Sequence, residues 1–391
     1  MYNNKGGKMK KIVLILSIFF INIYSICAIE INSSKAIMYN LDENKIIYEK
    51  NSEEKTSIAS LTKIVTAITV IDNSSDLNKE VIITNNMLKG LDGYAKIGLK
   101  VGDKLSTMDL LYALMLPSAA DAAQSLAIDI SGSIVDFSDL MNQELENIGV
   151  SNSKFDNPVG MDSDNNYSTA SDIAKILIYS LKNETFKTIF ETDKYYINSI
   201  NKTINKTLSN YNIDTSIITG AKTGFTYDAG LCLASTSTIN DINYLLVTLN
   251  SPINNNGHVM DAINLYDYFS SNYSNQVILK KGQVLKELKI KHGKKKYYEV
   301  KSLEEKKMYL ENDFDISNII IEYNGVEEIT KKIKLHDKIG SINVKYKGDV
   351  IYTFDVYLEE SLKYYNYFLY LSIILLIIII FMIIKRKRKC K

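Results

Sequence analysis

Arginine is almost absent from this chain of 391 residues, because it occurs only at Arg386 and Arg388, close to the C-terminus. Any anion that the folded region binds must therefore meet lysine, histidine or backbone N–H groups. The formal net charge is only +1. Bulk electrostatics thus give no reason to expect nucleic-acid binding.

Cysteine and histidine are also scarce. Cys27 lies in an N-terminal apolar segment and Cys390 in the C-terminal tail, which leaves Cys232 alone in the body of the chain. One cysteine cannot form an internal disulfide there. The histidines are His258, His292 and His336. Their scattered positions lack the spacing of metal ligands, so we expect no metal site and no metal cofactor.

Apolar segments at both ends of the chain indicate export and membrane anchoring. Residues 1–28 have the pattern of a signal peptide, with lysines before an apolar run. Residues 367–384 form an uninterrupted apolar run of 18 residues, long enough to span a membrane. The tail, residues 385–391, is strongly basic and is therefore expected to be cytoplasmic. We predict a single-pass protein of the cell membrane whose folded body is extracellular.

The pattern between these segments changes near residue 275. Up to that point a strand hairpin is followed by several helices and then by further strands, which predicts an antiparallel sheet with helices on its faces. Short strands separated by glycines fill residues 275–360 and predict a small all-β domain with a spacer or docking role. The expected fold class is α+β, with domains at 29–274 and 275–360 and a C-terminal transmembrane helix.

The stretch from Thr56 to Ala67 carries the first candidate catalytic residues. Ser60 and Lys63 lie three residues apart, directly before a long apolar run. In a helix that begins at Ser60, both side chains lie on one face. A desolvated lysine can remove the proton that makes a serine hydroxyl a poor nucleophile. The same spacing occurs four times in the chain. A capping serine with a solvated lysine is therefore the alternative for any single pair.

Two later stretches supply further groups that acyl transfer requires. Ser118 follows Pro117 in a break between two predicted helices, where its hydroxyl can point into a cleft. Lys222 and Thr223 begin a predicted strand, and Gly224 permits close approach of another backbone. Such a strand edge combines an anion-binding lysine with a backbone N–H that can stabilise an oxyanion.

These motifs, in this order, resemble the three motifs of the penicillin-recognising serine enzymes. Within that group the chain most resembles the D-alanyl-D-alanine carboxypeptidases, the low-molecular-mass penicillin-binding proteins. The stretches that carry the resemblance include residues 58–67, 157–162, 167–172 and 222–230. It extends over roughly residues 30–358 and implies a β-lactamase/transpeptidase-like domain followed by a β-rich domain.

The resemblance implies a catalytic role for three residues. Ser60 would attack the carbonyl between two D-alanines of a peptidoglycan pentapeptide stem and form an acyl-enzyme. Lys63, as a neutral amine, would take the proton, and Lys222 would help keep it neutral. Ser118 would relay a proton to the leaving D-alanine. Water would then hydrolyse the ester, so no cofactor is expected, and β-lactam antibiotics would act as inhibitors.

The same resemblance implies a substrate-binding set. Lys222, Thr223 and Gly224 would line the site, with the first two holding the substrate carboxylate. The N–H groups of Ser60 and Phe225 would form the oxyanion hole. His258 occupies the place where the family often has an arginine that pairs with the carboxylate.

Three positions depart from the family pattern. Ala120 stands where the second motif ends in asparagine, His258 where arginine is frequent, and Val159 where histidine is common. We expect a slow or narrowed carboxypeptidase. One alternative is a catalytically weakened homologue that binds peptidoglycan or organises wall synthesis. A β-lactamase is a further alternative, but residues 151–166 lack its Glu-x-x-x-Asn deacylation element.

Overall fold

The computed structural model of the protein describes residues 29–254 and 256–389. The signal peptide expected at residues 1–28 lies outside the described residues, as do Cys27 and Cys390.

The part of the chain up to Asn272 mixes helices and strands. Its strands are β1 Lys35–Asn40, β2 Lys45–Lys50, β3 Glu80–Ile82, β4 Lys104–Ser106, β5 Lys194–Ile197, β6 Lys202–Asn205, β7 Gly220–Thr226, β8 Gly230–Ile239 and β9 Ile242–Ser251. Its helices are α1 Thr62–Asn73, α2 Thr107–Met115, α3 Ala120–Ser131, α4 Ile134–Ile148, α5 Ala170–Ser180, α6 Glu184–Glu191 and α7 Gly257–Asn272.

A five-stranded antiparallel sheet organises this part, with the strand order β2-β1-β9-β8-β7. The N-terminal hairpin joins the late strands because β1 pairs with β9, where Ile37 lies opposite Val247. The antiparallel sheet predicted from the sequence is therefore confirmed. Among the described strands, β7 pairs only with β8 and forms an edge of the sheet. An edge strand keeps one row of backbone N–H and C=O groups free for other partners.

Helix α1 is the central helix, and its residues from Thr62 to Ile71 are all buried. A mostly apolar helix that is buried on every side needs other elements around it. Helices α2, α3, α4 and α5 do so here. A short 3-10 turn, Ala59–Leu61, precedes α1, so Ser60 lies in this turn and not in the helix itself. The turn follows from the positive φ of Ala59, 49°, which sets the entry direction.

The break predicted between α2 and α3 is present. Helix α2 begins with a capping box in which the Ser106 hydroxyl and the Asp109 carboxylate accept each other's backbone N–H groups. It ends at Met115, and α3 begins at Ala120. Ser118 lies in the connection. Its φ is 62°, a left-handed backbone conformation that residues other than glycine rarely adopt.

The chain from Tyr273 to Tyr357 consists of strands, as predicted. They are β10 Tyr273–Leu279, β11 Val284–Ile290, β12 Tyr297–Lys301, β13 Lys306–Glu311, β14 Ile319–Gly325, β15 Glu328–Ile329, β16 Lys338–Tyr346 and β17 Asp349–Tyr357. The strands form three small sheets around a separate apolar core that includes Ile278, Leu288 and Ile342. Tyr309 of β13 packs in the core of the first part instead, and its hydroxyl contacts the Tyr244 hydroxyl at 3.1 Å.

The last element is α8, Tyr367–Lys389. Its segment Tyr367–Arg386 has 20 residues with a mean hydropathy of 3.1, and none of it is buried against the rest of the protein. By length and composition, this helix can cross a membrane.

Candidate active site

Ser60 and Lys63 form the centre of the candidate site. The side-chain nitrogen of Lys63, Nζ, lies 3.0 Å from Ser60 Oγ and 2.7 Å from the carbonyl oxygen of Val159. Lys63 is only 1% exposed, whereas Ser60 is partly accessible. The buried nitrogen is thus held against a hydroxyl that a ligand can reach.

Burial lowers the pKa of Lys63 from its usual value of 10.5 to about 7. The cause is desolvation, which penalises the charged ammonium. The negative charge of Asp121 acts in the opposite direction and raises the pKa. Near neutral pH a large fraction of Lys63 is therefore the neutral amine, which can accept a proton.

The turn after Asn157 packs against Lys63 and against the residue before Ser60. The Asn157 side-chain oxygen accepts the N–H groups of Val159, Gly160 and Met161, which fixes the carbonyl of Val159 towards Lys63. Gly160 has a φ of +90°, and a Cβ atom there would overlap the carbonyl of Ala59. Glycine is therefore required at residue 160 for the turn to pack directly against the backbone of Ala59 and Ser60.

Ser118 and Lys222 form a second hydrogen-bonded pair. Lys222 Nζ donates to Ser118 Oγ at 2.8 Å and to the carbonyl of Thr223 at 2.8 Å. Lys222 is fully buried and Ser118 is 7% exposed. Burial lowers the pKa of Lys222 well below its usual value, and the positive charge of Lys63 lowers it further. The charge of Lys63 thus opposes the protonation of Lys222, whereas the pKa of Lys63 is lowered by burial itself.

Strand β7 brings its backbone against the turn that holds Ser60. A Cβ atom at Gly224 would lie 3.1 Å from the Ser60 nitrogen, so a larger residue would push the strand away. Phe225 follows on the exposed edge of the sheet, and its side chain is 45% exposed. The hydroxyl of Thr223 donates to the hydroxyl of Thr207 at 2.8 Å. The edge strand therefore forms one wall beside the nucleophile.

His258 lies in a different environment. It is in the first turn of α7, is fully buried, and its Nε2 atom is 3.0 Å from the Tyr211 hydroxyl. Desolvation lowers its pKa from 6.5 to about 4, although the charge of Asp261 raises it. The imidazole is therefore neutral at pH 7. Unlike an arginine, His258 therefore offers no positive charge to a substrate carboxylate.

The other two departures from the family pattern have clear positions. Ala120 is the first residue of α3, is fully buried, and donates its backbone N–H to the carbonyl of Ala95 at 2.7 Å. Its methyl group cannot make a polar contact to a ligand. Val159 contributes through its backbone carbonyl to Lys63, a contact that does not depend on its side chain.

Several contacts of the site had no signal in the sequence. The carbonyl of Val159 and the hydroxyl of Thr207 lie far along the chain from the residues they contact. The Asp121 carboxylate accepts the N–H groups of Ile97, Gly98 and Leu99, and so fixes the loop before β4 beside the site. Each of these partners belongs to a residue type with many ordinary structural roles, so pattern reasoning could not select them.

Taken together, the mixed fold and a serine beside a buried, largely neutral lysine define a class of protein, the serine hydrolases of the penicillin-binding type. The chain belongs to the D-alanyl-D-alanine carboxypeptidase family, whose model matches residues 23–253. The chain is therefore a serine-type peptidase of that family.

Individual relatives agree with this assignment. D-alanyl-D-alanine carboxypeptidase DacF of Bacillus subtilis is 25% identical over 350 residues, which cover 87% of this chain and 88% of that protein. The D-alanyl-D-alanine carboxypeptidase of Streptomyces sp. strain K15 is 34% identical over 215 residues, 49% of this chain and 72% of its own length.

Solved structures show the same fold. Penicillin binding protein 5 from Haemophilus influenzae aligns with a TM-score of 0.66 at 20% identity, covering 85% of this chain and 98% of that chain. The Streptomyces K15 DD-transpeptidase aligns with a TM-score of 0.56 at 30% identity, covering 61% and 97% of the two chains.

Proposed function

We propose that this protein removes the terminal D-alanine from peptidoglycan pentapeptide stems through an acyl-enzyme on Ser60, and that penicillins acylate the same residue. The observation that carries this proposal is the 3.0 Å contact between Ser60 Oγ and the buried Lys63 Nζ. The pKa of Lys63, lowered to about 7, places a proton acceptor beside the nucleophile.

Acylation begins when the neutral amine of Lys63 takes the hydroxyl proton as Ser60 Oγ attacks the carbonyl carbon. The negative charge that develops on the carbonyl oxygen is stabilised by the N–H groups of Ser60 and Phe225. The close packing of Gly224 against the Ser60 nitrogen supports this pairing of donors. The bond to the terminal D-alanine breaks as Ser118, which is hydrogen-bonded to Lys222, gives its hydroxyl proton to the leaving nitrogen. The proton that Lys63 took from Ser60 replaces it on Ser118, so Lys63 is again a neutral amine.

The substrate carboxylate binds at the wall that β7 forms. Lys222 and Thr223 are adjacent polar residues of β7, and Thr207 orients the Thr223 hydroxyl. His258 is neutral and buried against Tyr211, so it supplies no positive charge to the substrate carboxylate. A water molecule, activated by the same Lys63 amine, then attacks the ester and releases the shortened stem.

We also propose the placement of the chain in the cell. Helix α8 anchors the protein in the cell membrane by a single span, and the basic segment that begins at Lys385 lies on the cytoplasmic side. The catalytic part, residues 29–274, and the β-rich part, residues 275–360, then both lie outside the membrane. This placement gives the site access to peptidoglycan.

Release of D-alanine from a muramyl pentapeptide tests the catalytic proposal. The wild-type protein should release D-alanine, and Ser60→Ala should not, with both proteins showing the same thermal unfolding. No release by the folded wild-type protein would refute the proposal.

The second candidate is a catalytically weakened homologue that binds peptidoglycan or organises wall synthesis. The methyl side chain of Ala120 and the neutral His258 favour it, because both remove polar contacts to substrate. Binding of pentapeptide stems without release of D-alanine, in a protein that penicillin still acylates, is the result that this alternative predicts.

A further inference from the structure

Two turns of the β-rich part lie against the segment that leads into α8. The first turn connects β11 and β12. Its Lys294 N–H donates to the carbonyl of Lys363 at 2.8 Å, and its His292 carbonyl accepts the N–H of Tyr365 at 2.9 Å. Since α8 begins at Tyr367, these bonds fix the turn directly beside the start of the apolar helix.

The second turn follows β15 and reaches the same place. The Tyr364 hydroxyl donates to the carbonyl of Thr330 at 3.0 Å. The His336 N–H donates to the carbonyl of Leu358 at 2.8 Å. We call the two turns together, residues 291–297 and 330–336, the basal surface. Backbone hydrogen bonds fix the first turn beside the start of the helix, and the Tyr364 side chain ties the second turn to the same segment.

The basal surface is strongly basic. Lys291, which is exposed, lies 3.8 Å from the Glu328 carboxylate. The other exposed lysines of this surface are Lys294, Lys295, Lys296, Lys331, Lys332 and Lys334. Lys295 pairs with the Glu360 carboxylate at 2.9 Å, but both side chains are at least half exposed, so this pair is weak. Within the described part of the chain, the other five have no carboxylate at ion-pair distance.

Aromatic side chains accompany these lysines. Tyr297, Tyr365 and Tyr367 are 41%, 44% and 55% exposed. Tyrosine is enriched at the level of lipid headgroups, because its ring is apolar and its hydroxyl is polar. Lysines and tyrosines thus occur together at the end of the body from which the candidate membrane span leaves.

We propose that the basal surface binds the anionic headgroups of phospholipids in the bilayer that α8 spans. This inference rests on the membrane anchorage proposed above. The span holds the basal surface at the membrane at high effective concentration, so weak contacts suffice. Lysine side chains near an anionic membrane surface are attracted by its negative potential. Headgroup binding then limits the tilt of the catalytic part relative to the membrane.

The test uses the full chain reconstituted in phosphatidylcholine bilayers that contain a trace of spin-labelled phosphatidylglycerol or spin-labelled phosphatidylcholine. The motionally restricted fraction of each label gives the preference of the protein for the anionic lipid. K294E/K295E/K296E should lower this preference by about two- to fivefold at low ionic strength. High salt should reduce the difference between the two proteins, because it screens exposed charges.

A matched control, K182E/K187E/K194E, changes the same charge on exposed lysines of the catalytic part and should keep the wild-type preference. Penicillin acylation should be unchanged in both variants, which verifies their fold. The basic residues from Lys385 onward are the same in all three proteins, so their difference isolates the basal surface.

The possible failures are distinguishable. If the chain does not rise with the bilayers in flotation centrifugation, the proposed anchorage is wrong, and so is this inference, whatever the result for D-alanine release. If the chain rises with the bilayers and K294E/K295E/K296E, the basal variant, keeps the wild-type lipid preference, only the inference is wrong. A basal variant that loses binding to soluble polyphosphate, with unchanged lipid preference, would assign the surface to an anionic polymer and overturn the proposal.

Discussion

The rate of acylation should follow the protonation of Lys63, and the pH dependence can be worked out from the structure. With the usual pKa of 10.5, only about 0.03% of this amine would be neutral at pH 7. With the pKa lowered to about 7, roughly half is neutral. Burial therefore increases the amount of competent base by about a thousandfold at neutral pH.

The sign of the effect is fixed, because only the neutral amine can accept the proton of Ser60. The second-order rate constant for acylation by a fluorescent penicillin should rise about tenfold per unit below pH 6 and level off above about pH 8. Stopped-flow or gel measurements of labelling against pH provide this profile for the free enzyme. A flat profile between pH 5.5 and 9, or a midpoint near 10, would refute the assignment of Lys63 as the base.

Asp121→Asn offers an independent check on the same reasoning. The charge of Asp121 raises the pKa of Lys63, so removing it should shift the midpoint of the profile to lower pH. Asparagine keeps one side-chain oxygen that can accept a backbone N–H from the loop at Ile97 to Leu99. A midpoint that moves upward, in a variant with unchanged thermal unfolding, would contradict the electrostatic account.

Three further variants test other parts of the site and fold. Gly160→Ala should abolish penicillin labelling, because the added Cβ displaces the turn that holds the nucleophile; Gly149→Ala, with a similar φ and open space around it, should only lose about 1 kcal/mol in the free energy of unfolding. Ala120→Asn should raise turnover of pentapeptide by several-fold to about a hundredfold, if the lost polar contact limits the rate. His258→Gln should reduce the loss of stability between pH 6.5 and 4, worth up to about 3 kcal/mol.

The direction of the His258 effect follows from linkage. Its pKa is about 4 in the folded protein and near 6.5 when unfolded, so the unfolded chain binds more protons between these values. Stability therefore rises with pH across this window and is lost as the pH falls. Denaturant unfolding at several pH values measures this change in the free energy of unfolding, and equal pH dependence in the wild type and His258→Gln would contradict the prediction.

For Ala120→Asn, a slower enzyme with intact thermal stability would show that the missing asparagine does not limit turnover. Labelling of Gly160→Ala at the wild-type rate would show that the turn tolerates the change.

Much of the fold was predictable because local patterns and tertiary structure agree. The hairpin of β1 and β2, the buried α1, the break at Ser118 and the strand character after Tyr273 all carry strong signals in the sequence. The position of Ser60 in a 3-10 turn was not predictable, because it depends on the positive φ of Ala59.

Contacts between distant residues account for the rest. The bond from Lys63 to the carbonyl of Val159 joins residues that are 96 positions apart, and a backbone carbonyl leaves no trace in residue type. Helix α6 and the hairpin of β5 and β6 were not anticipated from the sequence. Helix α6 is amphipathic, with Phe186, Ile189 and Phe190 buried, but it has only 8 residues. His258 is buried in contact with Tyr211, and the sequence gives no sign that these two residues meet.

The central claim is that Ser60 becomes acylated with Lys63 as the base, and one measurement tests it most directly. The full-length protein is incubated with penicillin, its intact mass is measured, and the modified peptide is sequenced by mass spectrometry. We predict one penicilloyl group per chain, on Ser60, and none on Ser60→Ala. An unmodified wild-type protein, or a group on any other residue, would contradict the account.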